Sequence, residues 1–383
     1  MKKLKVLVIP SWYPNKADPL WGNYFIKQAS ALNEFCDVTM LHIERVGIKE
    51  INTYFENKKT DGFNNSLHSF KFYKKTMLNY KSISLDYAYK KYTECGYKAY
   101  LDLVKEIGKP DVILVESALP AGLIAKKIFE KENIPYVVHA HSEGIMTSDM
   151  YKKYIIPVME NARDYMAVNN NIKEIVEKIR NKECHLVPNF IDCSKFSLKE
   201  ERKDKDFVLL SVSNFYKVKA VDILLKAVDI VVNEKGYKNI KLKIVGTGEF
   251  KHYYESIANS LKSKDNVEFL GYIDNNNLPK IYKNSDVLCV SSTFETFCIP
   301  IVEALSTGIP VITTDCVGPL EIVNKDNAVI TPINDIEKYA DSIIYMINNY
   351  KKYNKNNIRK YAFSKYDKKV VCKKIIEILR SVI

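Results

Sequence analysis

No stretch of about eighteen consecutive apolar residues occurs in this 383-residue chain, so the sequence offers no helix able to span a bilayer. The opening MKKLKVLVIPSW is basic and then apolar, but its apolar part, Leu4 to Pro10, is short for a signal-peptide core. No small-residue cleavage site follows, and the segment reads as a first buried strand. Eight cysteines are present without C-x-x-C spacing, and Cys184 and Cys193 near His185 complete no ligand quartet. A disulfide scaffold and a zinc ribbon are thereby set aside. Reduced core thiols in a cytoplasmic protein are the expectation. No nucleic-acid recognition motif accompanies the basic residues, so no nucleic-acid partner is expected.

What is there is positive charge and a regular pattern. The formal charge is +12, spread over both halves of the chain. Its densest run, Lys71 to Tyr100, mixes lysine with tyrosine. An anionic membrane surface or an anionic substrate suits such a run without any motif, and so does a solvated helical face.

The length suggests two domains. Short apolar segments alternate with amphipathic ones: KVLVIP, VTMLHI, DVILVES, YVVHAH, YMAVNN and CHLVPN in the first half. After the charged SKFSLKEERKDKD the pattern restarts with FVLLSVS, KLKIVG, VEFLGY, DVLCVSS, PVITTD and NAVITPI. Such alternation means parallel sheets covered by helices on both faces. The expected fold class is therefore α/β, with two doubly wound, Rossmann-like domains facing across a cleft. The expected boundaries are 1–192, a linker at 193–206, a second domain at 207–362, and a last helix at 363–383 packing back on the first domain. Ligands of such sheets sit at the carboxyl ends of the strands.

The segment FETFCIPIVEALSTGIPVI, Phe294 to Ile312, sharpens this. Pro300 suits the first turn of a helix and Gly308 its end. Glu295 then hangs ahead of the helix and Glu303 lies about one turn inside it. A helix N-terminus attracts an anion such as a diphosphate. Glu303 is placed to accept hydrogen bonds from the paired hydroxyls of a ribose, and Glu295 from those of a second sugar.

The segment resembles the E-x7-E signature of family 4 retaining glycosyltransferases, EGFGLPxxEAMACGxPVI. Further segments resemble the same family: PSWYPNKADPLWGNYFIKQASAL, IPYVVHAHSEG, VPNFIDCSKF, SVSNFYKVKAVDILLKAV, KLKIVGTGEF and VEFLGYI. The resemblance implies a GT-B fold and a nucleotide-sugar donor, UDP favoured over GDP. It implies transfer with retention to a hydroxyl of a glycan or lipid-linked acceptor, in bacterial cell-surface polysaccharide synthesis. It also implies no cofactor and no metal, and no DxD motif stands at a plausible strand end. Residue by residue, it implies Gly22 beside the donor diphosphate and His141 at the donor sugar. Lys219 falls on the phosphate lysine, Glu303 on the ribose glutamate, and Glu295, Thr296, Phe297, Cys298 and Ile299 on the sugar loop. Tyr272 falls where main chain meets the base. The implied catalytic groups are Glu295, His141 and Lys219.

The chain also departs from the pattern. Asn214 stands where the family commonly has an arginine, and Lys217 is the nearest substitute for its charge. Thr296 and Cys298 replace glycines in the sugar loop, and Ala220 replaces a glycine after the lysine, read as a mild change. These departures bear on donor choice. They also keep open a catalytically weak, transferase-like binding or regulatory subunit, with a GT-B epimerase as a further alternative. A nicotinamide dehydrogenase is disfavoured, because Gly246-Thr-Gly248 lacks the third glycine of G-x-G-x-x-G.

Overall fold

The structure, a computed structural model, describes residues 3–15, 22–64, 66–200 and 206–383. The chain divides into two compact units, Met1–Val187 with Val371–Ile383, and Pro188–Val370. Among the described residues no helix is long and apolar enough to cross a membrane.

The first unit is built on eight strands: β1 Lys5–Pro10, β2 Asp37–Gly47, β3 Gly62–Phe63, β4 Lys71–Asn79, β5 Val112–Glu116, β6 Tyr136–Ala140, β7 Asp164–Ala167 and β8 His185–Leu186. They lie in the order β3-β4-β2-β1-β5-β6-β7-β8, all parallel except the β3–β4 pair. Strands β5 and β6 are buried at every residue, which is why they read as apolar runs interrupted only by Glu116 and His139. Chain order reverses at β1 and β5, where Pro10 pairs with Glu116. That is the switch point at which a doubly wound sheet opens a crevice.

The second unit has six parallel strands: β9 Phe207–Val212, β10 Ile240–Val245, β11 Val267–Gly271, β12 Val287–Val290, β13 Val311–Thr314 and β14 Ala328–Thr331. Their order is β11-β10-β9-β12-β13-β14, so this switch point falls between β9 and β12. One apolar cluster covers each face; Leu224, Val228 and Tyr339 belong to one, Ile301, Leu305 and Ile358 to the other.

Two expectations need correction. The first unit ends at Val187, ahead of the expected boundary, and residues 193–200 are structure of the second unit rather than a free linker. Phe196 is buried in its core, Lys199 N donates to Thr307 O (2.9 Å), and Lys199 Nζ reaches Ser285 O (2.8 Å) and Asp286. Ile191 bridges to Asp367, so the segments entering and leaving the unit run side by side. The expected linker residues 201–205 lie outside the described residues.

The Lys71–Tyr100 run is not one solvated face. It splits into β4 and the helix Leu85–Ile107. Tyr73, Tyr92 and Tyr100 are buried, while Lys71, Lys74 and Lys75 pair with Asp37, Glu44 and Asp61. Neighbouring strands supplied the partners that the local sequence lacked.

Candidate active site

The E-x7-E segment occupies the switch point of the second sheet. The helix Ile299–Thr307 follows β12, has Pro300 in its first turn and ends at Gly308 with φ 82°. A Cβ on Gly308 would meet Lys355 O at 2.7 Å, so glycine is required by crowding as well as by backbone sign. No side chain caps this helix; Pro300 has no N–H and Ile301 N donates to Cys298 O (3.1 Å), so what the helix offers an anion is its positive end.

Glu303 projects from the helix interior and is only 9% exposed. Tyr282 Oη donates to its Oε2 at 2.7 Å. Burial, and then the Glu303 charge, hold the Tyr282 phenol far above its usual value, so it remains a donor.

Glu295 lies in the loop between β12 and the helix. Its Oε1 accepts from Lys219 Nζ at 2.6 Å and from Ser292 Oγ at 2.9 Å. The Lys219 turn and this loop are tied by main chain as well: Thr293 N donates to Val218 O (2.7 Å) and Ser291 Oγ to Lys219 O (2.9 Å). Burial pulls the Lys219 ammonium down, but the Glu295 charge and hydrogen bond outweigh it, and its pKa stands above the usual value. Lys219 is thus a fixed cation.

A residue missed in the sequence supports this loop from behind. Gly318 N donates to Glu295 O at 3.1 Å, and a Cβ there would meet Thr296 C, Glu295 O and Phe297 N at 2.6–2.7 Å. The G-T-G turn is explained the same way. A Cβ on Gly246 or Gly248 would strike the backbone of Ser213 or Phe215, which leads to Lys219.

The departures from the family pattern acquire a physical meaning. Ala220 (φ 45°) and Cys298 (φ 74°) both hold left-handed backbone, a region that glycine enters without a steric penalty. The change at Ala220 is therefore not mild: it and Cys298 sit on either side of the Lys219–Glu295 pair in strained conformations. Thr296 is not among the left-handed residues. Phe297 turns its ring into the core against Tyr366 (5.9 Å between centroids), leaving its backbone for the loop. Ile299 is half-buried at the helix start; Asn214 and Lys217 are exposed after β9, and Tyr272 is 61% exposed after β11.

The other expected residues belong to the first unit. Gly22 (φ 75°) precedes the helix Asn23–Asn33, and a Cβ on it would meet Trp12 O at 2.7 Å. Residues 16–21, which precede it in the sequence, lie outside the described residues. His141 follows β6, with its Nε2 2.8 Å from Glu116 Oε2. His139, the rival histidine, is fully buried and bonds Val187 O through Nε2 (2.9 Å). Burial and the neighbouring His141 pull His139 down to about 3, so it stays neutral. Glu116, Gln28 and both histidines form one buried cluster that sequence reading did not single out; its one signal was an apolar strand, DVILVES, ending on a carboxyl group. Ligand-type atoms of Glu116, His139 and His141 lie within 4.8 Å of one another. Hydrogen bonds with Gln28 and Val187 already engage this set, so it reads as a proton-sharing cluster rather than an ion cage. A broad concavity of about 640 Å³, lined by Lys226, Asp229, Pro332 and Asp335 among others, shares no residue with either site.

Comparison with known proteins follows the same division. Residues 194–365 match the family model for glycosyl transferases group 1, and residues 78–195 that for glycosyltransferase family 4. An uncharacterised glycosyltransferase of Methanocaldococcus jannaschii is 26% identical over 278 residues, 64% of this chain and 69% of the relative. Sucrose-phosphate synthase from Thermosynechococcus elongatus superposes with TM-score 0.76 at 16% identity, covering 99% of both chains. Anabaena HepE in complex with UDP superposes with TM-score 0.72 at 17% identity, covering 99% of this chain and 100% of that one. These likenesses show the GT-B fold.

Proposed function

This chain belongs to the group 1, family 4 glycosyltransferases, and from that membership we propose that it moves a sugar from a UDP-sugar to a hydroxyl of a glycan or lipid-linked acceptor, with retention at the anomeric carbon and without a metal ion. The observation that carries this reading is the meeting of Lys219, Glu295, Glu303 and an uncapped helix N-terminus at the switch point of the second sheet. A nucleoside diphosphate suits that combination: a fixed cation and the positive end of a helix for the phosphates, and a buried carboxylate for the ribose hydroxyls. Lys219 is assigned to the leaving diphosphate, where charge develops as the glycosidic bond breaks. Glu295 and the backbone of residues 296–299 take the sugar, and His141 supports an oxocarbenium-like transition state. The acceptor hydroxyl attacks the face that the nucleotide leaves, and the departing phosphate takes its proton. Two positive groups, Lys219 and the helix terminus, carry the work that a divalent ion does in other transferases.

The same reading extends to a role in cell-surface polysaccharide assembly, with attachment to an anionic membrane surface. Supporting that attachment are the charge of +12 and the exposed Ile48, Ile51 and Phe55 beside Lys49, Lys58 and Lys59.

The test is incubation of the purified chain with a panel of UDP- and GDP-sugars, with and without chelator, following donor cleavage and the anomeric configuration of the product. Chelator-insensitive transfer from a UDP-sugar with retention is expected. UDP binding without turnover would favour the regulatory subunit, and an epimerised donor the epimerase.

A further inference from the structure

The Glu116–His141 contact lies at the switch point of the first sheet, at the ends of β5 and β6. Glu116 is fully buried, and its two oxygens are divided between partners. Oε2 faces His141 Nε2 at 2.8 Å and His139 Nδ1 at 3.8 Å; Oε1 accepts from Gln28 Nε2. Gln28 is itself fully buried, and its amide nitrogen is the atom turned to Glu116. The His141 ring is confined by Phe25 (5.0 Å), Tyr24 (5.7 Å) and His139 (4.2 Å between centroids).

We propose that Glu116, seated by Gln28, is a positioning residue for His141: it fixes the imidazole ring and shares one proton with it, so that transfer follows the protonation of the pair rather than of His141 alone. This rests on the reading of His141 as a donor-sugar contact.

The proton count has two states. With the extra proton, either a carboxyl group faces a neutral imidazole or a carboxylate faces an imidazolium; in both, Nδ1 of His141 carries hydrogen and the pair is neutral. When that proton leaves, Nε2–H stays on Glu116, Nδ1 becomes an acceptor, and the pair is anionic. The anionic pair is the better neighbour for a sugar acquiring positive charge. The change falls in a useful range: burial pushes Glu116 up to about 7, against which His139 pulls only partly. The groups facing the pair are His139, held neutral, the ring of Tyr24 and the amide of Gln28. A pair this tightly joined titrates as a unit.

Two measurements decide it. In the wild-type chain, ¹⁵N NMR of labelled histidine, with His141→Ala for assignment, should show His141 Nδ1 losing its proton between pH 6 and 8, with Nε2 the protonated nitrogen above that range. In transfer assays, kcat should rise through the same range. Glu116→Gln should lose that limb and at least thirtyfold in kcat while UDP affinity stays within twofold; Glu116→Asp should recover part of it. A Glu116→Gln enzyme with wild-type kcat and an unshifted limb would overturn the proposal. So would one equivalent of zinc in the purified chain that Glu116→Gln abolishes. Should the chain transfer no sugar at all, the functional reading fails, and the NMR titration still decides whether Glu116 governs the His141 proton.

Discussion

Lys219 Nζ and Glu295 Oε1 stand 2.6 Å apart across 76 positions of sequence, and both side chains are largely shielded, at 18% and 14% exposure. Their pairing couples the cation proposed for the diphosphate to the loop proposed for the sugar. A shielded pair is costly to break singly, because the survivor is left charged without a counter-ion. Lys219→Met and Glu295→Gln should each lower unfolding free energy by about 2–4 kcal/mol, while the double variant recovers most of that loss. Transfer should fall at least a hundredfold in all three. Urea titrations beside a transfer assay check this, and a double variant no more stable than either single would contradict it. Glu295→Gln alone should also bind UDP a few-fold more tightly, since Lys219 is then released to the diphosphate.

Tyr282→Phe removes the hydrogen bond to Glu303 while keeping the ring in its buried place. A stability loss of about 1 kcal/mol is expected. On the proposed role of Glu303 at the ribose, the larger effect should be on donor affinity, roughly tenfold, because the carboxylate loses the contact that orients it. Calorimetry with UDP measures it, and unchanged affinity would remove Tyr282 from the site.

Gly318→Ala pushes a methyl group into backbone at 2.6–2.7 Å. The loop Glu295–Phe297 must shift, at a cost of about 1–3 kcal/mol. The expected result is a folded chain whose kcat/KM falls at least tenfold with a smaller change in UDP binding. Wild-type turnover would show that the loop position is not critical.

Glu116→Gln should change the pH dependence of stability. The folded chain holds the Glu116 proton up to about pH 7 while the unfolded chain releases it near 4.5. The stabilisation from that proton is complete below the lower value and lost as pH rises to the higher one. The variant should therefore gain on the wild type between pH 4.5 and 7, by at most about 3 kcal/mol, and hold the difference above that. Thermal melts at half-unit pH steps test it; a pH-independent difference would mean that Glu116 is not held protonated.

Legibility in the sequence followed the range of the cause. The helix Ile299–Thr307 was readable because proline and glycine mark its ends locally. The strand β4 was not, because its lysines pair with Asp37, Glu44 and Asp61 from segments distant in the chain. The strain at Ala220 was invisible too, since the letter alanine does not carry the sign of φ. Gly318, Tyr282 and Gln28 drew no notice, because each acts on a residue that only folding brings near.

Family resemblance picked out Lys219 and His141; by itself the order of amino acids determined the alternation of strands and helices, the two-part architecture and the placing of Glu295 and Glu303 about a helix start. These rest on periodicity, end signals and short-range spacing, which are local properties of a chain. Only the tertiary structure decided which groups hold those residues: Lys219 on Glu295, Tyr282 on Glu303, Gly318 behind the loop and Glu116 on His141. Each of these contacts joins separate strand ends or loops, and a side chain's burial, charge and proton affinity exist only once its neighbours have displaced water.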